Sequence, residues 1–394
     1  MIDVAALDPA DPGFVADPYP VFRALRERGP LHRHEAWGAH VAVSHELCSA
    51  VLRHRDLRRV WVDRVPLAEF EAFNALHRLS MLENERLHGR LRAAVAPLFH
   101  RRAVAAMRAT TTELVRPRLD RLRAEIDEHG RAELMSALAG PVPVDVIAAL
   151  LGFPPAEGPL LRNWSNRIVR MYEPELDDAG RRDAELAAGE FRGHVTEHVE
   201  HRRAHPGVDP LSALVGTGAL DRDELVATCA LLLMAGHEAS VNGIGNAVVA
   251  LHDRPAQWRL FRGLGPDAVA TAVDELLRHD TPNQLFERTA VRPVELAGTR
   301  VEAGDKVVVL LGAANRDPTA FAAPDELDLT RTPNPHLALG IGMHYCLGAP
   351  LARLEIGVVL AEFAARFPDF ALLERPRRSA AFALRGYDRI DITA

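Results

Sequence analysis

A mainly helical α+β fold with small β-sheets, built as one domain over residues 1–394, is what three features of this sequence predict. Apolar residues recur at helical spacing over much of the length. Strand-like runs are few and brief. No repeat, glycine-serine linker or charge block divides the chain, and the Pro/Gly-rich stretches Gly152–Pro159 and His205–Pro210 are short enough to be loops inside one domain.

Helical spacing appears in turn over Val21–Arg28, Leu87–Ala96, Val104–Ile126, Val144–Leu151, Ala184–Arg203 and Ala268–His279. The strand candidates are Ala39–Val43, Val294–Leu296 and Lys306–Leu311. From Asp221 to His252 runs a long apolar pattern that Gly236, His237 and Glu238 interrupt in the middle. A glycine next to a carboxylate in a core helix is costly, so this interruption asks for a reason.

Composition sets the outer limits. Hydrophobic residues make up 48% and charged residues 26%, as in globular proteins, which excludes disordered and low-complexity classes. There are 47 basic and 54 acidic residues, for a net charge of −7, and Lys306 is the only lysine. An acidic chain is not expected to bind nucleic acid. Cys48, Cys229 and Cys346 are too few for a disulfide framework and fit a reducing cytoplasm. The N-terminus carries Asp3, Asp8 and Asp11 and no basic stretch, unlike a secretory signal. The most apolar run, Cys229–Gly236, is much shorter than the roughly 20 residues that span a bilayer, so no membrane is expected.

The most informative segment runs from His336 to Arg353. Gly340 and Gly342 precede Cys346, and Gly348 follows it. Glycines let backbone turn sharply and approach a flat ligand. Leu351, Leu354 and Val358 then give a helix an apolar face. A cysteine at a helix mouth is favoured as thiolate, and a thiolate without zinc-like partners suits an axial bond to haem iron.

Here the chain resembles the cytochrome P450 family. Gly340, Gly342, His344, Cys346, Gly348, Ala352 and Arg353 match its cysteine signature, while Leu339 stands where the family has Phe. Glu275 and Arg278 match its Glu-x-x-Arg pair, and Arg331 the third member of that ion-pair network. The resemblance implies the P450 fold, a helical domain around haem b, with Cys346 as iron ligand. It implies propionate contacts from His88, Arg92, Arg288 and His344, and haem packing at Gly340 and Gly348. The family's Asp-Pro-Pro lead into the His88 helix is replaced by Asn84-Glu-Arg86.

In the central helix the family's Ala-Gly-x-Glu-Thr is here Ala235-Gly236-His237-Glu238-Ala239, then Ser240. The resemblance assigns Gly236 to an oxygen-binding groove and Glu238 to proton delivery. Ala239 lacks the usual relay hydroxyl, and Ser240 lies about 100° further around the axis. Three explanations are open: a substrate hydroxyl with ordered water completes the relay, which is the favoured one; the oxidation has different proton needs, as in phenol coupling; or the protein is a poorly coupled or non-catalytic member. His237 is expected to pack rather than to ligate iron.

The resemblance puts the pocket wall at Trp61–Leu82, Trp164–Glu173, the central helix, Asn283–Phe286 and Phe382–Leu384. The named candidates are Leu82, Leu232, Ala235, Asn283, Gln284, Leu285 and Phe382, with Asn283 and Gln284 suggesting a hydrogen-bonding substrate. Arg58, Arg59, Arg64 and Arg78 are taken as a solvated face. No dinucleotide-binding motif is present, so electrons are expected from a ferredoxin and ferredoxin reductase docking at Arg90, Arg101, Arg102 and Arg353.

The expected function is therefore that of a cytoplasmic, monomeric monooxygenase using O₂ on a natural-product-like small molecule or peptide. Oxidative phenol or indole coupling on the same scaffold is the alternative. A non-catalytic haem sensor or carrier is the alternative of another class.

Overall fold

The computed structural model describes residues 4–172 and 176–394. Glu173, the end of one expected pocket wall, and Asp3 lie outside the described residues. About 59% of the chain is helical. The chain divides into two compact units: Met1–Arg58 with Val115–Ala139 and Ala239–Ala394, and Arg59–Leu114 with Gly140–Glu238.

The first unit is built on a five-stranded sheet in the order Leu31–His34, Ala39–Ala42, Lys306–Leu310, Leu285–Ala290, Leu57–Arg58. Ala39–Ala42 runs parallel to Lys306–Leu310, and the other pairings are antiparallel. Both faces of the central strand are buried. Val307 and Val309 pack with Cys48, Val51 and Leu337, while Val308 and Leu310 pack with Phe14, Phe22 and Phe382. That explains why Lys306–Leu310 reads as a continuous apolar run rather than an alternating one. The edge strands Leu31–His34 and Leu57–Arg58 escape a sequence reading because they are short and polar. The same unit holds the helices Pro266–His279 and Ala349–Arg366, the latter called the cysteine helix below.

The second unit is helical. Pro141–Leu151, Gly158–Val169 and Asp178–Ala204 form its body, with Glu71–Arg78 against the last of these. Asp177 caps Asp178–Ala204 by accepting from Gly180 N at 2.7 Å. Gly152–Pro159 is less of a loop than expected, because the helix Gly158–Val169 starts inside it with Pro159 in its first turn. Asn84 caps Glu85–Val95, accepting from Arg86 N and Leu87 N at 3.1 and 3.3 Å. The missing Asp-Pro-Pro lead is thus replaced by an Asn cap that satisfies the same orphan N–H groups.

Arg222–His252 is one helix without a break at Gly236. It is long and apolar enough to cross a membrane by composition, but 61% of its most apolar window is buried within the fold. It is a core helix of the protein, longer than the Cys229–Gly236 run suggests.

Candidate functional site

Cys346 is presented by backbone geometry. Gly340 and Gly342 have φ of +68° and +77°, a region that favours glycine. A Cβ on Gly342 would sit 2.9 Å from the Leu52 carbonyl oxygen, so this turn is locked against the helix His45–Arg53. Cys346 N donates to Leu339 O at 2.9 Å, and Gly340 N to Leu337 O at 2.9 Å. Gly348 takes the N-cap position of the cysteine helix, and Ala349 N donates back to Cys346 O at 3.3 Å. The thiol therefore sits at the positive end of that helix.

The three cysteines separate cleanly. Cys48 and Cys229 are fully buried, and burial pushes both thiols up, Cys229 to about 12. Cys346 is half-buried and accessible.

Behind the loop, Glu275, Arg278 and Arg331 come together. Arg278 grips both oxygens of Glu275 at 2.7 and 2.8 Å, and Arg331 Nε donates to Glu275 Oε2 at 3.0 Å. Arg278 also donates to the carbonyls of Asn315, Pro324 and Glu326 at 2.7–2.8 Å. One carboxylate serves both guanidiniums and backbone carbonyls take further Arg278 donors, so every charge in this set is hydrogen-bonded, as charges held inside a core must be.

Along the central helix, accessibility follows one face. Ala235 is exposed, and Glu238, Ala239 and Asn242 are partly exposed, at i, i+3, i+4 and i+7. The small side chains at 235 and 239 leave that face flat. Glu238 Oε1 is 3.3 Å from His237 Nε2. His237 itself is buried, with Nδ1 donating to Leu233 O at 2.8 Å and Nε2 3.5 Å from Ser165 Oγ. Its ring packs toward Gly158–Val169, as a packing role requires.

At Gly236 a Cβ would lie 3.1 Å from Ile147 Cγ1, so its glycine also allows Pro141–Leu151 to approach. Two pocket-wall expectations, those for Gln284 and Phe382, are corrected. Gln284 is 0% exposed, with Nε2 donating to Thr281 O at 2.6 Å and its side chain packed over Gly312. Enclosed in this way, it is not a pocket-wall donor. Phe382 is a core residue whose ring lies 4.9 Å from Phe14 and 6.3 Å from Phe22. Two of the four arginines expected at a docking face also make ion pairs within the protein. Arg90 Nη1 donates to Glu224 Oε2 at 2.9 Å, and Arg353 Nε to Asp274 Oδ1 at 2.7 Å.

Among the other candidates, His88 is buried and its Nδ1 donates to Met81 O at 2.7 Å, while Arg92 is partly exposed one turn on. Arg288 is buried in the strand Leu285–Ala290, with Nη1 donating to Glu287 O at 2.8 Å, and His344 is half-buried beside the cysteine loop. Leu232 is buried, and Leu82, Asn283 and Leu285 are partly so. Arg59 pairs with Glu83 at 2.6 Å and Arg78 with Asp63 through Nε at 2.9 Å, so both belong to structural ion pairs.

Sequence reasoning missed two clusters. Ser240 donates to the carboxyl of Glu355 on the cysteine helix, and both are buried. Burial pushes Glu355 up to about 8. The available signal was an acid between Leu354 and Ile356 in an apolar run. Glu157 meets His194 Nε2 and His198 Nε2 at 2.9 and 3.2 Å. Arg202 Nη1 donates to His198 Nδ1 at 2.8 Å, so the ring proton lies on Nε2 and points at Glu157. These groups are satisfied by hydrogen bonds to one another.

The residues on the first unit's cysteine loop fit a haem. One accessible thiol is presented at a helix mouth by a tight glycine turn, and a buried ion-pair network backs it. A model of the cytochrome P450 family matches residues 269–372. The chain is 37% identical over 372 residues to the cytochrome P450 monooxygenase PikC of Streptomyces venezuelae, covering 91% of this chain and 86% of that one. It is 36% identical over 351 residues to nocardicin C N-oxygenase of Nocardia uniformis subsp. tsuyamanensis, covering 84% and 85%. The structure of P450BioI in complex with hexadec-9Z-enoic acid ligated acyl carrier protein superposes with a TM-score of 0.90, at 29% identity, over 98% of this chain and 100% of that one. The chain belongs to the cytochrome P450 family, with the P450 fold, and it is a P450 monooxygenase. The family carries haem and draws electrons from redox partners.

Proposed function

We propose that this enzyme inserts one oxygen atom from O₂ into a natural-product-like substrate, with haem b held by Cys346 and electrons from a ferredoxin and its reductase. The observation that carries the reading is the accessible Cys346 thiol on its glycine turn at the helix mouth. The relative named for nocardicin C supports the substrate class, and the P450BioI complex supports delivery on a carrier protein as one route. Haem held by a thiolate supplies the oxygen-activating chemistry.

The chain's own residues hold, orient and protonate. His88, Arg92, Arg288 and His344 are proposed as partners of the two propionates, by charge-assisted hydrogen bonds. Glu275, Arg278 and Arg331 keep the backbone beneath Cys346 fixed. Glu238 is the proposed proton donor, with its carboxyl on the flat face of the central helix. Ala239 leaves no hydroxyl beside it, and Ser240 is spent on Glu355. A substrate hydroxyl and ordered water therefore complete the relay. The enzyme is proposed to act as a single-domain, cytoplasmic monomer.

The test is a spin-state titration of the ferric Soret band with macrolactones, cyclic dipeptides and aromatic peptides, followed by product per NADPH with a ferredoxin system. Oxygenated product formed in proportion to NADPH supports the reading. O₂ consumption giving a coupled product without inserted oxygen points to aryl coupling. Substrate binding without turnover points to a sensor.

A further inference from the structure

The first unit contains a cleft of about 750 Å³ between the N-terminal segment, the C-terminal half of the central helix and residues 375–387. Its charge is unusual for this protein. Six arginines line it (Arg254, Arg316, Arg375, Arg377, Arg378 and Arg385) against three aspartates, Asp17, Asp253 and Asp280. The wall thus carries a surplus of three positive charges in a chain whose net charge is −7.

The hydrogen bonds show which charges are already used. Asp280 takes both Arg385, at 2.8 Å, and Arg378. Arg316 is committed to His279 O at 2.9 Å and to Asp325 at 3.0 Å, and its guanidinium stacks 4.2 Å over Tyr19. Arg375 touches Asp253 only loosely, at 3.6 Å. Arg254 and Arg377 have no carboxylate within salt-bridge distance among the described residues. Arg254 is partly buried, its Nη1 donates to Ala250 O at 3.3 Å, and burial first, then the Arg316 charge, press its pKa down against the opposing pull of Asp253 and Asp280.

A second observation points the same way. His279 is 4% exposed and lines the cleft, and its Nδ1 is buried with no hydrogen-bond partner among the described residues. Burial, then Arg316 and Arg254, hold this ring well below its ordinary pKa, so it adds a neutral polar atom and no further charge. Buried polar atoms in native proteins normally have partners. The wall also holds apolar residues, such as Pro12, Val15, Val249 and Ala250, beside Tyr19, Ser379 and Tyr387. The volume is that of a small-molecule site.

We propose that this cleft binds a phosphate group, carried by a small organic ester, with Arg254 and Arg377 as its charge partners. Two unmatched guanidiniums and a surplus of three charges fit a dianion better than a carboxylate. The apolar part of the wall and the volume suit an organic tail beyond the phosphate. The cleft is lined by residues the haem chemistry does not use, so its occupation is separable from substrate binding.

The experiment uses the haem-loaded enzyme at constant ionic strength, set with NaCl. Thermal midpoints are followed against inorganic phosphate, AMP and adenosine, with the Soret band recorded in parallel. A saturable rise with AMP, tighter than with inorganic phosphate, absent with adenosine and without a Soret change, is the expected result. Arg254→Gln and Arg377→Gln should each weaken it by about tenfold, the loss expected for a charge-assisted contact. Arg377 is exposed, so its variant tests the site even if Arg254→Gln folds poorly. Saturation by inorganic phosphate alone would assign the free ion and overturn the ester. A non-saturating shift that both variants retain, or a phosphate-dependent Soret change, would overturn the site.

Discussion

The Ser240 hydroxyl donates a hydrogen bond to the Glu355 carboxyl and so ties the central helix to the cysteine helix inside one unit. The residue next to Ala239 is therefore engaged in the core, and Glu355 is buried completely with that hydroxyl as partner. Two consequences follow, one for stability and one for proton delivery.

Glu355 lies near 4.5 in the unfolded chain and is raised to about 8 by burial in the folded one. The folded state therefore holds a proton that the unfolded state has lost. Its contribution is fully present below about pH 4.5 and is lost as pH rises toward about 8, by an amount of the order of a few kcal/mol. Urea midpoints of wild type and Glu355→Gln at pH 5, 6.5 and 8 check this. The wild type should lose stability relative to Glu355→Gln as pH rises, and parallel curves would contradict the buried proton.

For proton delivery, Ser240→Ala should cost about 1–3 kcal/mol of stability, because Glu355 loses its partner. Product per NADPH should change little. Ala239→Thr places a hydroxyl on the accessible face. It should raise product yield for substrate analogues lacking a hydroxyl more than for the native substrate. Collapse of coupling in Ser240→Ala, or equal gains with both substrates in Ala239→Thr, would count against substrate assistance.

Gly236 is expected to act through packing. Gly236→Val should destabilise by about 1–3 kcal/mol as the new side chain meets Ile147. Adding Ile147→Ala, which alone should cost about 2–5 kcal/mol, should give a double variant more stable than the sum of the two losses. Strict additivity in thermal unfolding would show that Gly236 and Ile147 do not share the space.

Glu275→Gln leaves Arg278 and Arg331 without their carboxylate in a buried site. The cost should be about 3–5 kcal/mol. Haem content after purification should fall with it, read as Soret absorbance per protein. Full haem content at unchanged stability would contradict the role of this network beneath the cysteine loop.

Much of this was legible in the sequence because the relevant signals are local. The glycine spacing around Cys346, the helical periods and the Glu275–Arg278 spacing all depend on residues within one turn or loop. What sequence did not disclose depends on contacts between distant segments. Gln284 and Phe382 sit in stretches that look pocket-like, yet Thr281, Gly312 and Phe14 enclose them. Gly236 was read by its neighbours in the helix, and its close approach to Ile147, 89 positions earlier, could not be seen there. The Ser240–Glu355 bond joins residues 115 positions apart, and no spacing rule points to it.

The central claim is that Cys346 is the thiolate ligand of haem iron. Its most direct test is the absorption spectrum of the reduced carbon-monoxide complex of wild type and Cys346→Ser. The account predicts the strongly red-shifted Soret band of thiolate-bound haem in the wild type and its loss in Cys346→Ser. The same red-shifted band in both proteins would contradict it.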